Sequence, residues 1–306
     1  MKSLIECIPN ISEGRRGEVV AAIRDAALGA SRDVLLLDST SDPDHNRSVF
    51  TFLGDGPALV DAMTALVGAA IDRIDLRSHK GAHPRLGAVD VIPFVPVRGV
   101  SAADCVGLAK DLGARIAERF SLPVYLYEDA ATSEERRNLA AIRKGEFEGL
   151  EKKMTDPSWR PDFGPSEPHP TAGATVVGAR TFLVAYNINL GTSDKAIADK
   201  IAKAIRHIGG GYRYVKAMGV FLEDRKLAQV SINMINFEKT PLHRVFETVK
   251  SEAERHGVPI VGSEIVGLVP QGALLAAAEH YLRLEAEPAG QVLENKLLDL
   301  AFERNG

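Results

Sequence analysis

The sequence has two cysteines, a single tryptophan and no apolar run near the roughly 20 residues needed to cross a bilayer. Cys7 and Cys105 sit in apolar segments without a CxxC pair or a Cys/His zinc spacing beside them, so a disulfide framework and a zinc finger are both excluded. Both read as reduced packing residues. Positive charge is not in surplus: 37 Lys and Arg stand against 41 Asp and Glu, a net of -4, and the cations are scattered along the chain. No basic stripe exists to hold a nucleic-acid backbone, so an anionic partner has to be caught by a few local groups. Gly209, Gly210 and Gly211 have neither GxGxxG nor GxxxxGK spacing, and no GxSxG elbow occurs, which argues against nucleotide-binding and serine-nucleophile readings. The apolar stretch near the N-terminus is too short for a signal peptide, and a cytoplasmic location without membrane attachment is the expectation.

What is present fits a packed protein. Hydrophobic residues at 45% and charged residues at 25% lie in the globular range, and 306 residues exceed what one core usually serves, so about two domains are expected. Leu4 to Pro9 reads as a strand. Ser12 is placed to cap a helix carried by Val19, Val20, Ile23, Ala27 and Leu28. Asp33 to Asp38 and Ser48 to Gly54 form a hairpin across STSDPDHNR, followed by a helix from Pro57 to Ile74 and a strand from Val89 to Val97. A helix from Ala102 to Phe120, a strand from Pro123 to Tyr127 and a short charged helix near Glu134 to Arg143 extend this unit. Five prolines between Thr155 and Gly173 exclude regular structure there. The order βαββαβ then recurs: strand Phe182 to Leu190, helix Asp194 to His207, hairpin Val215 to Ile235, helix Leu242 to His256 and strand Val258 to Val261. Helices Gln271 to Leu284 and Gln291 to Phe302 close the chain. The fold class expected is α+β, with two ferredoxin-like βαββαβ halves.

The densest polar cluster is Ser78, His79, Lys80, Gly81, Ala82, His83, Pro84 and Arg85, directly before a predicted strand. His79 and His83 are four apart, the spacing of a helical metal pair, but Gly81 and Pro84 oppose a helix and Lys80 and Arg85 repel a cation, so no metal is expected. Acid–base work suits an imidazole held neutral by adjacent Lys80 and Arg85. The bland alternative is a loop histidine that only satisfies backbone groups. Asp42 and Asp44 in the hairpin loop read as Asx turns rather than a calcium loop, and Asp38 and Arg47 are placed to face the histidine loop. In the proline loop, Trp159 and Phe163 with exposed backbone amides suit a flat heterocycle, or else Trp159 simply docks on the core.

The motifs ECIPNISEGR at 6 to 15, NRSVFTFLG at 46 to 54, HKGAHPRLGAVDVIPFVPVRGVS at 79 to 101, PVYLYE at 123 to 128 and AIRKGEFEGL at 141 to 150 lie in one order. They continue with PDFGPS at 161 to 166, GATVVGAR at 173 to 180, LVAYNINL at 183 to 190, LAQVSINMINFE at 227 to 238 and VGSEIVGLVP at 261 to 270. In these the chain resembles the formiminotransferase family over nearly its whole length. The resemblance implies two α/β subdomains, 1–181 and 182–306, with substrate held between them in a chain that is usually dimeric. It implies transfer of the formimidoyl group of N-formimidoylglutamate to tetrahydrofolate, a co-substrate, in histidine breakdown. The family's catalytic histidine falls on His83. Its folate-binding segment falls on Gly164, Pro165, Ser166, Glu167, Pro168, His169, Pro170, Thr171, Ala172 and Gly173.

This segment is more polar than in vertebrate members, and Thr40 stands where those carry an acid two residues after Asp38. Vertebrate members also append a cyclodeaminase domain, and a single activity is expected here. His83 is then the base that takes the proton lost by the attacking folate nitrogen, and Lys80, Arg85 and Arg47 are candidates to bind substrate carboxylates. A formyltransferase using 5-formyltetrahydrofolate and glutamate, a folate-binding module without catalysis and a metal-dependent hydrolase remain as rivals.

Overall fold

The computed structural model describes residues 3–304. The chain divides into two compact units, one ending at Arg180 and the other beginning at Thr181.

In the first unit, β1 (Leu4–Cys7) and β2 (Asn10–Ile11) act as one strand interrupted at Pro9, because both lie between β4 (Arg47–Gly54) and β5 (Val89–Arg98). The hairpin is β3 (Leu35–Asp42) with β4. Beyond β5 the sheet continues through β7 (Thr175–Ala179) to β6 (Val124–Glu128), both pairings parallel. Helices α1 (Gly17–Ala30), α2 (Gly56–Ile71) and α3 (Ala102–Phe120) supply apolar residues to the core on one face, where Ile5, Cys7, Phe50, Phe52 and Phe94 are buried. A smaller core around Tyr125, Tyr127, Ile142, Leu150 and Val176 includes residues of α4 (Leu139–Arg143) and α5 (Glu146–Met154). The alternation along β4 follows from its residues: Ser48, Phe50 and Phe52 are buried, while Arg47, Val49 and Leu53 are only partly so.

Two expectations change here. Ser12 does not cap α1, whose N-cap is Arg16; its buried hydroxyl donates to the Gly87 carbonyl at 2.7 Å. The strand β7 and the helix α5 were not foreseen. β7 reads TVVGA after the proline loop, a run too short for periodicity to separate strand from loop. Cys7 and Cys105 are free and buried, as packing residues should be.

In the second unit, β8 (Val184–Leu190), α6 (Lys195–Ile205), β9 (Val215–Leu222), β10 (Leu227–Met234), α7 (Leu242–Arg255) and β11 (Ile260–Val266) follow in that order. They make an antiparallel sheet in the order β11-β8-β10-β9. Val184, Ile188, Leu190, Val230, Ile232 and Met234 point into the core with residues of α6 and α7. Helices α8 (Gln271–Leu282) and α9 (Leu293–Arg304) follow. The chain is thus a mixed α/β protein of two sheets, and no helix among the described residues is long and apolar enough to cross a membrane.

Candidate active site

The histidine loop is clamped by the hairpin turn. Asn46, at φ +49°, accepts from Gly14 N on its side-chain oxygen at 3.0 Å and donates from Nδ2 to the Lys80 carbonyl at 3.0 Å. Ala82 N donates to the Asp44 carbonyl. Gly81 is required at this crossing, since a Cβ there would stand 2.2 Å from the His45 carbonyl oxygen. The turn itself is held by Asp42, whose Oδ1 accepts from the backbone of Asp44 and His45 at 2.9 Å each, the Asx arrangement expected from the sequence.

The two histidines of the loop differ in what they can do. His79 has both ring nitrogens engaged: Nε2 donates to the Asn46 carbonyl at 2.9 Å, and Nδ1 accepts from Arg85 Nε at 3.3 Å. That leaves it no lone pair for a metal or a proton. His83 is half-buried, and neither of its nitrogens has a hydrogen-bond partner among the described residues. The bland reading, a ring that satisfies backbone groups, therefore describes His79 and not His83. Burial first, then the charges of Arg47 and Arg143, push the His83 pKa from its usual 6.5 down to about 3.

The cations around His83 are not the pair expected from the sequence. Lys80 is exposed and enters this network through its backbone carbonyl. Arg85 is buried, with Nη1 donating to Glu146 and Glu148 and Nη2 donating to Glu148 at 2.6 Å, so its donors are already taken by α5. Arg47 comes from the start of β4, and Arg143 from the last turn of α4. Arg143 is held against buried Asp90, which also accepts from Leu86 N at 2.7 Å. The Nε atoms of Arg47 and Arg143 are buried without a partner among the described residues. The positive charge of two guanidinium groups beside an unpaired imidazole suits an anion next to a proton acceptor. Arg143 and Asp90 were missed from the sequence. Arg143 lies in the AIRKGEFEGL motif, which marked the segment without marking the residue.

The proline loop is anchored at both ends. Tyr125 donates to the Trp159 carbonyl at 2.6 Å, Asp162 accepts from Leu126 N at 2.8 Å, and buried Arg136 pairs with Asp162 at 2.9 Å. Trp159 packs on the smaller core with Lys153 Nζ 3.9 Å above its ring, and Phe163 lies against Gly113 in the main core. Of the two readings left open for this loop, the packing of both partly buried rings against the cores favours docking over a stacking face for a heterocycle. Gly164 to Glu167 are exposed. From His169 to Gly173 the loop closes on itself, with backbone bonds of 2.8 and 2.9 Å between these two residues and His169 Nδ1 accepting from Ala172 N at 3.1 Å. Its end meets the histidine loop: Leu76 N donates to the Thr171 carbonyl and Ala174 N to the Leu86 carbonyl. Gly87 and Gly173 bridge there, and a Cβ on either would overlap a carbonyl oxygen at 2.0 or 2.2 Å. The structure therefore brings His83, Arg47, Arg143 and Arg85 to one end of β5, with the Gly173 end of the proline loop beside them.

This arrangement has the parts of a group-transfer site for an anionic substrate. The formiminotransferase domain, N-terminal subdomain, matches residues 4–180, and the formiminotransferase domain matches residues 185–306. The chain belongs to the formiminotransferase family. It is 50% identical, over 97% of its length and all of the relative, to the glutamate formimidoyltransferase of Streptococcus pyogenes serotype M1. It is 49% identical to the glutamate formimidoyltransferase of Thermoplasma acidophilum, over 96% of this chain and 97% of that one. The formimidoyltransferase-cyclodeaminase of Rattus norvegicus is 47% identical over 92% of this chain, which spans 53% of that protein.

Proposed function

We propose that this chain is a glutamate formimidoyltransferase, which passes the formimidoyl group of N-formimidoyl-L-glutamate to N5 of tetrahydrofolate and releases L-glutamate. The observation that carries the reading is an unpaired, half-buried His83 flanked by Arg47 and Arg143, in a chain that shares half its residues with proteins of that name. In this reading His83 accepts the proton released as the amidine carbon is attacked, and returns it to the departing glutamate nitrogen. Arg47 and Arg143 hold a substrate carboxylate. That anion offsets the two positive charges and raises the basicity of His83 only when substrate is in place. Lys80 is a further carboxylate contact from the exposed rim, while Arg85 is reassigned to holding the loop.

Gly164 to Gly173 bind folate, through backbone and polar groups rather than aromatic stacking. Tetrahydrofolate is the co-substrate and no metal takes part. The subdomains are 1–181 and 182–306, a reading supported by the compact units that meet between Arg180 and Thr181. Each sheet is built on a ferredoxin-like βαββαβ unit, supported by the strand order β11-β8-β10-β9 in the second and β3-β4-β1-β5 in the first. The enzyme is cytoplasmic and homodimeric, and the exposed Leu282, Leu293, Leu297 and Leu298 offer an apolar surface for a second copy.

The test is transfer from formimidoylglutamate to tetrahydrofolate by the purified chain. His83→Ala should fold normally and lose roughly 100- to 10,000-fold in kcat. Near-normal turnover by that variant would remove His83 from the reaction, and no transfer by the unaltered chain would remove the function.

A further inference from the structure

The sheet of the second unit turns one face to its core, and the middle of its other face carries a group of amides around a single carboxylate. Along β8 and β10 the residues that alternate with the core positions are Asn187 and Asn189, and Gln229 and Ser231. Gln229 stands opposite Asn189, and Glu264 on β11 stands opposite Asn187. Gln229 Nε2 donates to Asn189 Oδ1 at 2.8 Å and to Glu264 Oε1 at 2.9 Å, and Asn187 Nδ2 donates to the same Glu264 oxygen at 3.2 Å.

These contacts fix the chemistry that remains. Both protons of the Gln229 amide face acceptors, so its orientation is set by the carboxylate and the asparagine. Two amides aim Glu264 through one oxygen. Its other oxygen, Oε2, and the Gln229 carbonyl oxygen have no donor among the described residues, and no Lys or Arg among them pairs with Glu264. Asn189 and Gln229 are each only 3% exposed, whereas Glu264 is exposed. Nearly buried Gln229, itself anchored on Asn189, and partly exposed Asn187 hold one exposed carboxylate without a counter-cation, which makes a built acceptor. Space lies beside it: a Cβ added at Gly262, opposite Asn189, would meet nothing within 4 Å.

We propose that this face binds a planar N–C–N edge carrying two N–H donors, with Glu264 as the acceptor and Gln229 and Asn187 as the residues that orient it. The inference rests on the transferase reading for its ligands, which offer this edge twice: the 2-amino and N3–H edge of the pterin of tetrahydrofolate, and the amidine of formimidoylglutamate. A carboxylate matches either one through charge-assisted hydrogen bonds.

The experiment uses the full chain and two variants, Glu264→Gln, which keeps the shape and removes the charge, and Gly262→Val, which fills the space on an edge strand. Equilibrium binding of tetrahydrofolate and of formimidoylglutamate is measured by titration calorimetry, and the KM of each by steady-state transfer. Glu264→Gln should weaken one of the two ligands by about 10- to 100-fold, leave the other within about twofold and leave the melting temperature unchanged. If tetrahydrofolate is the one affected, a folate analogue lacking the 2-amino group should bind the unaltered chain and Glu264→Gln equally. If formimidoylglutamate is affected, N-formylglutamate should show that equality instead. Gly262→Val should weaken the same ligand. Unchanged affinity for both ligands in both variants would overturn the proposal. Because the affinities are read without turnover, a chain that binds these ligands but does not transfer would fail the functional reading while the comparison of variants still decides the site.

Discussion

The carbonyl of Asn46 accepts a hydrogen bond from His79 Nε2 at 2.9 Å, so a turn in one hairpin fixes the loop that presents His83. The Asn46 side chain adds bonds to Gly14 N and to the Lys80 carbonyl from a left-handed backbone position that asparagine tolerates. Two substitutions separate these effects. Asn46→Gly keeps the backbone conformation and loses the side-chain bonds, which should cost about 1–3 kcal/mol of stability. Asn46→Ala adds backbone strain of about 1 kcal/mol and should be the worse of the two. Both should lower kcat more than they raise KM, since the loop carries the base. Chemical denaturation and steady-state kinetics on the pair check the order.

Arg143 is held against Asp90 and leaves its Nε without a partner, beside a second such atom on Arg47. Arg143→Lys keeps the charge but loses the planar fork, and Arg143→Ala loses both. The expected result is a KM for formimidoylglutamate raised by about 10-fold in the lysine variant and about 100-fold in the alanine variant. The KM for tetrahydrofolate should move less than threefold, or roughly the scatter of a distant substitution. Equal changes in both constants would place Arg143 elsewhere than at the donor carboxylate.

Much of the fold was legible because its signals are local. The helix Ala102–Phe120 carries a Ser101/Asp104 capping box and a periodic apolar face, and its bounds coincide with the sequence reading. The histidine loop was legible for the opposite reason, as the one place where polar residues crowd against the start of a strand. What could not be read was long-range pairing. Arg85 and Arg143 look alike in sequence, yet one is neutralised by Glu146 and Glu148 and the other stands near His83 because Asp90 holds it. Trp159 and Phe163 carried no sign of which way their rings turn. Such assignments depend on partners up to 63 residues away, and spacing along the chain does not contain them.

Arg85 ties the histidine loop to α5. Its side chain is 8% exposed while Glu146 is partly and Glu148 largely exposed, so removal of the cation lets the carboxylates return to water but leaves His79 without its Nδ1 partner. Arg85→Met should lower stability by about 1–3 kcal/mol. It should leave the KM for formimidoylglutamate within about twofold, because no uniform binding of substrate is lost. A urea titration and one substrate saturation curve suffice, and a large KM effect would restore Arg85 as a substrate ligand.

The depressed basicity of His83 makes a prediction about protons. In the free enzyme, burial and the charges of Arg47 and Arg143 keep the ring neutral down to about pH 3, so acid inactivation of kcat/KM near pH 6 should not arise from this residue. A carboxylate bound between the two guanidinium groups cancels part of their field and raises the His83 pKa, while burial, the larger cause, still holds it below its ordinary 6.5. A group whose pKa rises on binding takes up protons in the pH window between its free and bound values. Binding of formimidoylglutamate should therefore take up protons in the acidic range above pH 3 and almost none at pH 8. Calorimetry in two buffers of different ionisation heat measures this directly, and kcat should show an acid limb at higher pH than kcat/KM does. Arg143→Ala removes one of the charges responsible, so its free-state pKa starts higher and its uptake should shrink, while His83→Gln should abolish it. Uptake that persists unchanged in His83→Gln would mean that another group senses the anion, and that His83 is not the base that substrate binding awakens.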